Sequence, residues 1–466
     1  MEKRAFALLL LAYVAACVVF SFLAAGFYQK DEVLHWLISR YAWAHPWLFL
    51  DIWGRPLVTF LYAFPARFGV LPARWLSILI GVGVIILTRR IAREMGLKST
   101  IMTAFLTMTQ PFFFLLSFCI LTELTFALVL AAGMLLLLRK RLILSSLMIS
   151  LTPLARPEGF PLVFLWACLI LAGRKADSRT ERLVSVLALA AGTFVWNLCG
   201  FIATSDALWL AHSFPWGGET GFYGHGSLLH YVAFLPVITG VAAFPFFVVG
   251  MTGMVARRRF QFLFWIFNGI FLVHMLLWTF GLMRSAGYVR YFVSVSPVIA
   301  LISGYGWERA MDFFRRAEAK PGMAGRLRRL RLSLTAVVVL LATANAVVVA
   351  ALLQPIEPLP EQVCVGRAAA WHREHCATHR VPQTFCSTPL FFFVSGLDRF
   401  DGAKHPVPTR ENLSRAEPGS IFIWDSKSSV REDRLTLVTL TEMGWTVRAH
   451  FQALEEKYYR VVILER

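Results

Sequence analysis

Two adjacent acids, Asp31 and Glu32, follow a long apolar run, within the stretch "FYQKDEVLHWL" at residues 27–37. The segment 27–72 also contains other ionisable residues and four tryptophans, namely His35, Arg40, His45, Asp51, Arg55, Trp36, Trp43, Trp47 and Trp53. Charged groups among tryptophans are typical of a membrane surface, where they can meet a lipid headgroup. There a carboxylate can take a proton from a reacting group, and an arginine can neutralise a phosphate.

Further charged groups lie in short turns between apolar segments. In "SFCILTELTF" the one charge is Glu123, which either stabilises a helix start capped by Thr122 or has a functional role, because an ionisable group at the end of a span is costly. In "PLARPEGFP", residues 153–161, Arg156 either helps to hold an anion or, together with Glu158, solvates a bend made by prolines and a glycine.

The composition that surrounds these groups is that of a polytopic membrane protein. Of 466 residues, 57% are hydrophobic and 16% are charged. The apolar runs predict about eleven membrane-spanning helices, near residues 5–26, 73–88, 101–117, 124–138, 142–155, 159–172, 183–203, 230–255, 261–281, 288–306 and 332–353. The stretch 55–68 is short, amphipathic and broken by Pro65, so it predicts a helix at the interface.

The basic residues give this arrangement an orientation. Alternate loops, together with Lys3 and Arg4, hold 24 Lys and Arg, whereas the loops on the opposite side hold 8. The positive-inside rule therefore predicts a cytoplasmic N-terminus, with residues 5–26 as a signal anchor. A cleavable signal peptide is the less favoured alternative, because the apolar run is longer than a typical signal core. The net charge of +18 reflects topology, and we expect no nucleic-acid binding.

The sequence changes character after residue 353. Residues 354–466 are polar, with β-branched runs "SIFIWD", "LTLVTL" and "YYRVVILER" between turn residues, and they predict a small α/β domain on the outer side. The predicted domains are therefore 1–353, in the membrane, and 354–466, outside it. One disulfide is plausible among Cys364, Cys376 and Cys386.

Two other groups of residues allow more than one interpretation. In "WHREHCATH", His372, Cys376 and His379 share one helical face, which indicates either a metal site or, as we favour, an exposed helix of the tail domain. The loop "HSFPWGGETGFYGHGS", residues 212–227, contains Glu219, Tyr223 and His225, and is either a lid over an acceptor or a flexible loop without substrate contact.

An ordered set of segments resembles the GT-C superfamily of membrane glycosyltransferases. These segments are "KDEVLHWL", "GRPLVTFLYAFPARFGVLPARWLSIL", "TRRIAREMG", "TQPFFFLLSFCILTELTFALVLAAG", "RPEG" and "YVRYFVSVSPVIALISGYG". Within the superfamily the sequence is most similar to bacterial relatives of the protein O-mannosyltransferases and the lipid A aminoarabinose transferases. The resemblance covers roughly residues 5–310 and rests on the order of the segments rather than on any single motif.

The resemblance implies roles for three acids. In this superfamily an acid early in the first outer loop is the catalytic base or its partner, which implies Asp31, with Glu32 beside it. The acid of the second outer loop corresponds to Glu123. Since adjacent side chains on a helix diverge, we expect one of the first two acids to do chemistry and the other to make a structural contact.

The resemblance also implies substrate-binding residues. A basic residue before a proline near the interfacial helix contacts the donor phosphate in related transferases, which implies Arg55. The late Arg-Tyr pair corresponds to Arg290 and Tyr291, a phosphate or sugar contact, and Arg156 is a further candidate. Relatives often have a double proline, and sometimes an acid just before the basic residue, where this chain has "WGRPL"; Asp51 lies four residues earlier.

We therefore expect an inverting transferase that moves a sugar, for example mannose, from a polyprenyl-phosphate donor to a glycan, lipid or protein acceptor. It would lie in the bacterial cytoplasmic membrane, with its active site and C-terminal domain on the periplasmic side. No cofactor is required, because arginine can offset the phosphate charge, and a divalent metal is a less favoured alternative. The other functions considered are a flippase for lipid-linked glycans, which would need charged or broken segments in mid-membrane, and an oligosaccharide ligase with a polyprenyl-diphosphate donor.

Overall fold

The computed structural model describes residues 2–173, 178–214, 220–319, 324–452 and 459–466. Of the described residues, 69% are helical, and the chain forms two compact units. The first unit consists of Met1–Ser21, Phe49–Leu61 and Leu71–Leu353. The second consists of Phe22–Leu48, Tyr62–Val70 and Gln354–Arg466.

Helices account for most of the described chain. Before residue 354 the α-helices are Glu2–Leu23, Lys30–Tyr41, Pro56–Ala66, Val70–Glu94, Thr100–Met108, Pro111–Leu116, Glu123–Leu138, Leu142–Ile149, Thr152–Ala155, Gly159–Ala172, Arg179–Ala188, Ala191–Thr204, Trp209–Ser213, His230–Ala233, Leu235–Thr239, Phe244–Arg257, Gln261–Thr279, Ser296–Glu318 and Ala324–Leu353. After it they are Pro360–Thr378, Pro389–Ser395, Arg410–Ser414, Ser428–Arg431 and Leu437–Glu442. The 3₁₀ helices are Pro46–Phe49, Leu282–Arg284 and Val289–Val295.

Several of these helices have the length and composition of membrane spans, as expected for a multi-pass membrane protein. Among the described residues there are five, or six if one bent pair counts as a single span, and the five are Glu2–Leu23, Val70–Glu94, Gln261–Thr279, Val289–Glu318 and Ala324–Leu353. Other predicted spans are interrupted. The run 101–117 breaks before Pro111, which has no N–H to donate, and the run 230–255 breaks at Gly240, whose φ is 87°. The count of eleven stays a prediction.

Two helices of the first unit pack backbone against backbone. A methyl group on Gly306, in the helix Ser296–Glu318, would overlap the carbonyl oxygen of Phe246. A methyl group on Gly250, in the helix Phe244–Arg257, would likewise overlap the carbonyl oxygen of Ile302. Small residues permit such close contact between membrane helices. The crossing therefore holds the helix that follows Arg290 in place.

The second unit contains a four-stranded sheet, as the sequence predicted for the tail. Its strands are β1 (Thr384–Cys386), β2 (Ile421–Asp425), β3 (Thr446–Gln452) and β4 (Arg460–Glu465), in the spatial order β1-β2-β4-β3. β1 and β2 are parallel, and β4 is antiparallel to both β2 and β3. Phe385, Phe422, Trp424, Leu440 and Trp445 are buried together in the core of this unit.

Two expectations for this tail are wrong. The run "LTLVTL" is not a strand but enters the helix Leu437–Glu442, because the Thr436 hydroxyl accepts a hydrogen bond from the Thr439 N–H and caps the helix. The disulfide does not form either. Cys376 and Cys386 are thiols, and any bridge among the three cysteines needs at least one of them.

Replacing Gly306 with alanine should destabilise the first unit. The added methyl group forces the two helices apart, and overpacking of this kind costs about 1–3 kcal/mol. We expect a lower melting temperature in detergent. The matched control is Gly325→Ala, also in a helix, where a methyl group would meet open space. Equal melting temperatures for the two variants would show that the helices do not cross at Gly306.

Candidate active site

A buried ionic cluster connects three separate segments of the first unit. Glu123, the first residue of its helix, has no exposed surface, and its Oε1 lies 2.9 Å from Arg156 Nη1 and 3.1 Å from Arg290 Nη1. Arg156 follows the short helix Thr152–Ala155, and Arg290 lies in the 3₁₀ helix Val289–Val295. One carboxylate oxygen therefore holds the ends of three elements together.

A second carboxylate completes the charge balance. Glu158 accepts a hydrogen bond from Arg156 Nε, and its Oε1 lies 3.7 Å from His274 Nε2. Burial opposes ionisation of Glu158, but the charges of Arg156 and His274 and the hydrogen bond from Arg156 together hold the pKa of this carboxyl below its usual value. Burial lowers the pKa of the Arg156 guanidinium, but the charges of Glu123 and Glu158 outweigh burial and raise this pKa. Two arginines thus face two glutamates.

Tyr291 provides an aromatic wall beside these charges. Its ring stacks on His274, with centroids 5.3 Å apart, and the guanidinium carbons of Arg156 and Arg290 lie 5.0 and 5.7 Å from the ring centroid. The structure therefore brings Glu123, Arg156, Arg290 and Tyr291 together, although they are distant in sequence. Cation–π contacts and ion pairs of this kind position side chains in a dry environment.

The simpler interpretations of two turns are wrong. Thr122 does not cap the helix at Glu123, because its hydroxyl accepts a hydrogen bond of 2.8 Å from Arg156 Nη1 instead. Arg156 and Glu158 do not solvate a bend, since their side chains are only 11% and 4% exposed. A fully buried Glu123 has a clear positioning role. The catalytic role that the resemblance implies for it stays a prediction.

Asp51 and Arg55 lie in one tight turn of the first unit. Asp51 Oδ1 accepts a hydrogen bond of 2.5 Å from the Gly54 N–H, and Arg55 Nη1 donates one of 2.6 Å to the Ile52 carbonyl. Burial raises the pKa of the Asp51 carboxyl despite this hydrogen bond and the nearby arginine. Asp51 is thus a turn-forming residue, and Arg55 stands directly before the helix Pro56–Ala66.

A second arginine, which sequence reasoning did not single out, shares a cavity with Arg55. The cavity, of about 40 Å³, is lined by Arg55, Arg284 and Trp53 and by Ile52, Pro157, Phe214 and Met283. This is space for a few waters or one phosphate-sized group. Arg284 has no acidic partner within 4 Å among the described residues. The available signal was its position in a predicted outer loop, between Gly281 and Gly287.

The backbone of both arginines is held in an unusual conformation. Arg55 has φ 61° and Arg284 has φ 51°, in the left-handed region that favours glycine. The guanidinium of Arg284 lies 4.6 Å from the ring centroid of Phe222 in the Gly-rich loop. Beside Phe222, the Gly221 N–H donates a 2.9 Å hydrogen bond to the Gly281 carbonyl. Glu219, in the same loop, lies outside the described residues.

Asp31 and Glu32 belong to the second unit, in the first turn of the helix Lys30–Tyr41. Glu32 is completely buried and accepts a hydrogen bond of 2.9 Å from the Tyr28 N–H. Asp31 is partly exposed. Glu32 therefore makes the structural contact expected of one member of the pair, while Asp31 remains accessible.

The described residues contain no group of three or more His, Cys, Asp or Glu that could hold a metal ion. His372, one of the metal candidates from sequence, instead hydrogen-bonds Thr384 Oγ1 at 2.9 Å. The Sγ atom of Cys376 lies 3.5 Å from Nε2 of His372, the same nitrogen that contacts Thr384. These side chains pack the helix Pro360–Thr378 against the sheet.

Glu123→Gln should strongly destabilise the first unit. It leaves two buried arginines with one carboxylate, and breaking a buried ion pair costs roughly 3–5 kcal/mol. The double variant Glu123→Gln/Arg290→Gln restores the charge balance and should recover part of the loss. Unfolding in detergent measures this, with the exposed Glu411→Gln as control. Additive losses in the double variant would contradict the charge-balance account.

Comparison with known proteins gives no match by sequence, neither to a protein family nor to a characterised protein. By structure the chain is similar to ArnT from Cupriavidus metallidurans in a crystal structure with bound undecaprenyl phosphate. The TM-score is 0.66 at 13% identity, over 99% of this chain and 98% of that one. The apo crystal structure of the same ArnT gives an equal TM-score and identity, with 100% and 98% coverage.

A second similar protein is the oligosaccharyltransferase from Archaeoglobus fulgidus, crystallised with a tethered acceptor peptide. Its TM-score is 0.50 at 12% identity, over 85% of this chain and 63% of that one. ArnT, a lipid A aminoarabinose transferase, and the oligosaccharyltransferase are both members of the GT-C superfamily. The resemblance predicted from the sequence is therefore confirmed for the fold: the chain has an ArnT-like fold with a small C-terminal sheet.

Proposed function

We propose that this protein is a membrane glycosyltransferase that moves a sugar from a polyprenyl-phosphate donor to a hydroxyl group of an acceptor. The observation that supports this most directly is the fold, which is shared along 99% of the chain with a transferase crystallised with undecaprenyl phosphate. Fold alone does not set function, so the site must supply the chemistry. The first unit offers a cavity with two arginines, and the second unit offers a partly exposed carboxylate.

The reaction has a simple balance. The acceptor oxygen forms a bond to the anomeric carbon of the sugar, and the bond from that carbon to the phosphate oxygen breaks. The proton of the acceptor hydroxyl goes to a carboxylate, and polyprenyl phosphate leaves with the bonding electron pair. Attack opposite the leaving group inverts the anomeric centre. The protein must therefore supply one base and a cation for the leaving phosphate.

Asp31 is our candidate for the base. Its neighbour Glu32 is buried and accepts a hydrogen bond from the Tyr28 N–H, so it cannot easily reach an acceptor. Asp31 is accessible at the start of the same helix. Positive charge at a helix N-terminus favours the carboxylate form that accepts a proton.

Arg55 and Arg284 are our candidates for the phosphate contact. Arg156 and Arg290 are already balanced by buried carboxylates, so an added phosphate would face a neutral cluster. Arg55 and Arg284 instead line one cavity, and the described residues place no acid within 4 Å of Arg284. We assign Arg156, Arg290 and Tyr291 a role in positioning the surrounding helices and the sugar.

The distribution of basic residues supports the orientation. With 24 Lys and Arg on one side and 8 on the other, the N-terminus would be cytoplasmic and the chemistry would take place at the periplasmic face of the bacterial cytoplasmic membrane. The acceptor is a glycan, lipid or protein hydroxyl, and mannose is one candidate sugar. A flippase and a polyprenyl-diphosphate ligase are the competing functions.

Incubating the purified protein with polyprenyl-phosphate and polyprenyl-diphosphate sugars separates these functions. We expect release of polyprenyl phosphate from monophosphate donors, by transfer or slow hydrolysis. Asp31→Asn should lower the rate by about 10²–10⁴-fold, since it removes the general base. Glu411→Gln, an exposed acid of the same unit, should keep the rate. Full turnover in Asp31→Asn would refute the base assignment, and consumption of diphosphate donors alone would favour the ligase.

Chelation tests the proposed role of the arginines. If they neutralise the leaving phosphate, transfer should keep more than about half of its rate after dialysis against EDTA, because no metal ion is needed for that charge. The measurement is the initial rate before and after dialysis, with Mg²⁺ and Mn²⁺ added back. A complete loss that either ion restores would contradict this role.

A further inference from the structure

A cavity opens in the second unit at the carboxyl ends of β1 and β2. Its volume is about 180 Å³. Thr388, two residues after β1, and Lys427, two residues after β2, both line it. In α/β sheets ligands commonly bind outside the carboxyl ends of parallel strands, where the chains diverge. The cavity is thus at the edge of the sheet where a binding site is expected.

Two lysines and one carboxylate, Lys30, Lys427 and Glu361, line the cavity. Lys30 Nζ lies 2.6 Å from Glu432 and 2.9 Å from the Ser428 hydroxyl, and Lys427 Nζ lies 2.7 Å from Glu361. The four charged side chains are 32–56% exposed. Exposed ion pairs contribute little to stability. An incoming anion can therefore replace the carboxylate partners of the lysines at little cost.

The positive ends of two helices add to this charge. Lys30 is the first residue of the helix Lys30–Tyr41, and Pro360 is the first residue of the helix Pro360–Thr378. Both residues line the cavity, as do the preceding residues Gln29 and Leu359. Helix N-termini attract anions through their partial positive charge and their N–H groups.

Part of the cavity lining is apolar. Phe27, Val33 and Leu390 line it, and Phe27 is fixed by an edge-to-face contact with Phe393, with ring centroids 4.7 Å apart. Binding sites of this composition hold an apolar surface of the ligand while a few polar groups fix its orientation. A sugar ring has such an apolar face, whereas a free inorganic anion has none.

We propose that this cavity binds a sugar with an anionic substituent, a phosphate or a carboxylate, and that this sugar is part of the acceptor. The identification with the acceptor rests on the proposed function, whereas the binding itself does not. Asp31, the proposed base, is the next residue after Lys30 in the same helical turn. An acceptor held by Lys30 and Lys427 would therefore be bound at the N-terminus of the helix that carries the base.

Binding to the purified full-length protein tests the proposal without a donor. The probes are glucose 6-phosphate, glucuronate, glucose and inorganic phosphate, measured by saturation-transfer NMR. We expect both anionic sugars to bind about tenfold or more tightly than glucose and than phosphate alone. The double variant Lys30→Gln/Lys427→Gln should lose about tenfold or more in affinity. Lys404→Gln, an exposed lysine of the same unit outside the cavity, should bind normally.

A variant that should bind the anionic sugars more tightly distinguishes a loss of binding from a loss of folding. Glu361→Gln removes the carboxylate that competes for Lys427, so the anionic sugars should bind about two- to tenfold more tightly. Misfolding cannot produce tighter binding. Equal affinity for glucose and the anionic sugars, equal affinity for free phosphate, or no change in the lysine and Glu361 variants would overturn the proposal. Binding without any donor consumption would instead count against the proposed function.

Discussion

The carboxylate of Glu123 is the contact on which the first unit depends. Its Oε1 faces both Arg156 and Arg290, which come from segments more than 130 residues apart. A buried charge is tolerated only where it is paired, so each of these three side chains requires the others. The ion pairs therefore hold together the three helix ends at which Glu123, Arg156 and Arg290 lie. The close crossing at Gly306 fixes the helix Ser296–Glu318, which follows the 3₁₀ helix of Arg290.

This charge balance separates two kinds of arginine. Arg156 and Arg290 are compensated by buried glutamates and stabilise the scaffold. Arg55 and Arg284 line a small cavity, with left-handed backbone conformations that the surrounding structure must hold. Strained residues in an otherwise regular fold are common at functional sites. The scaffold thus positions a cationic pocket between the turn before the helix Pro56–Ala66 and the segment after the helix Gln261–Thr279.

Much of this could be predicted from the sequence where the signal is local. The apolar runs and the strands at "SIFIWD" and "YYRVVILER" follow from periodicity and composition, and the ordered segments predicted the fold. Glu123 and Arg290 were recognised as site candidates. Their direct pairing could not be predicted, because a contact between residues 167 positions apart leaves no local pattern.

The failures also have physical reasons. "LTLVTL" has strand-forming residues, but Thr436 caps a helix there, and a side-chain hydrogen bond outweighs weak propensity. A solvated bend stayed open as an interpretation of Arg156 and Glu158, because the histidine near Glu158 lies more than 100 residues away in the sequence. Arg284 was missed because an arginine in a glycine-flanked loop resembles any exposed loop residue until the fold places it beside Arg55.

The central claim is that polyprenyl phosphate meets Arg55 and Arg284 rather than the balanced cluster at Glu123. An experimental structure of the protein with undecaprenyl phosphate tests it most directly. The account predicts phosphate density between the guanidinium groups of Arg55 and Arg284, with the ion pairs of Glu123 intact. Phosphate bound to Arg156 or Arg290, with Glu123 displaced, would contradict it.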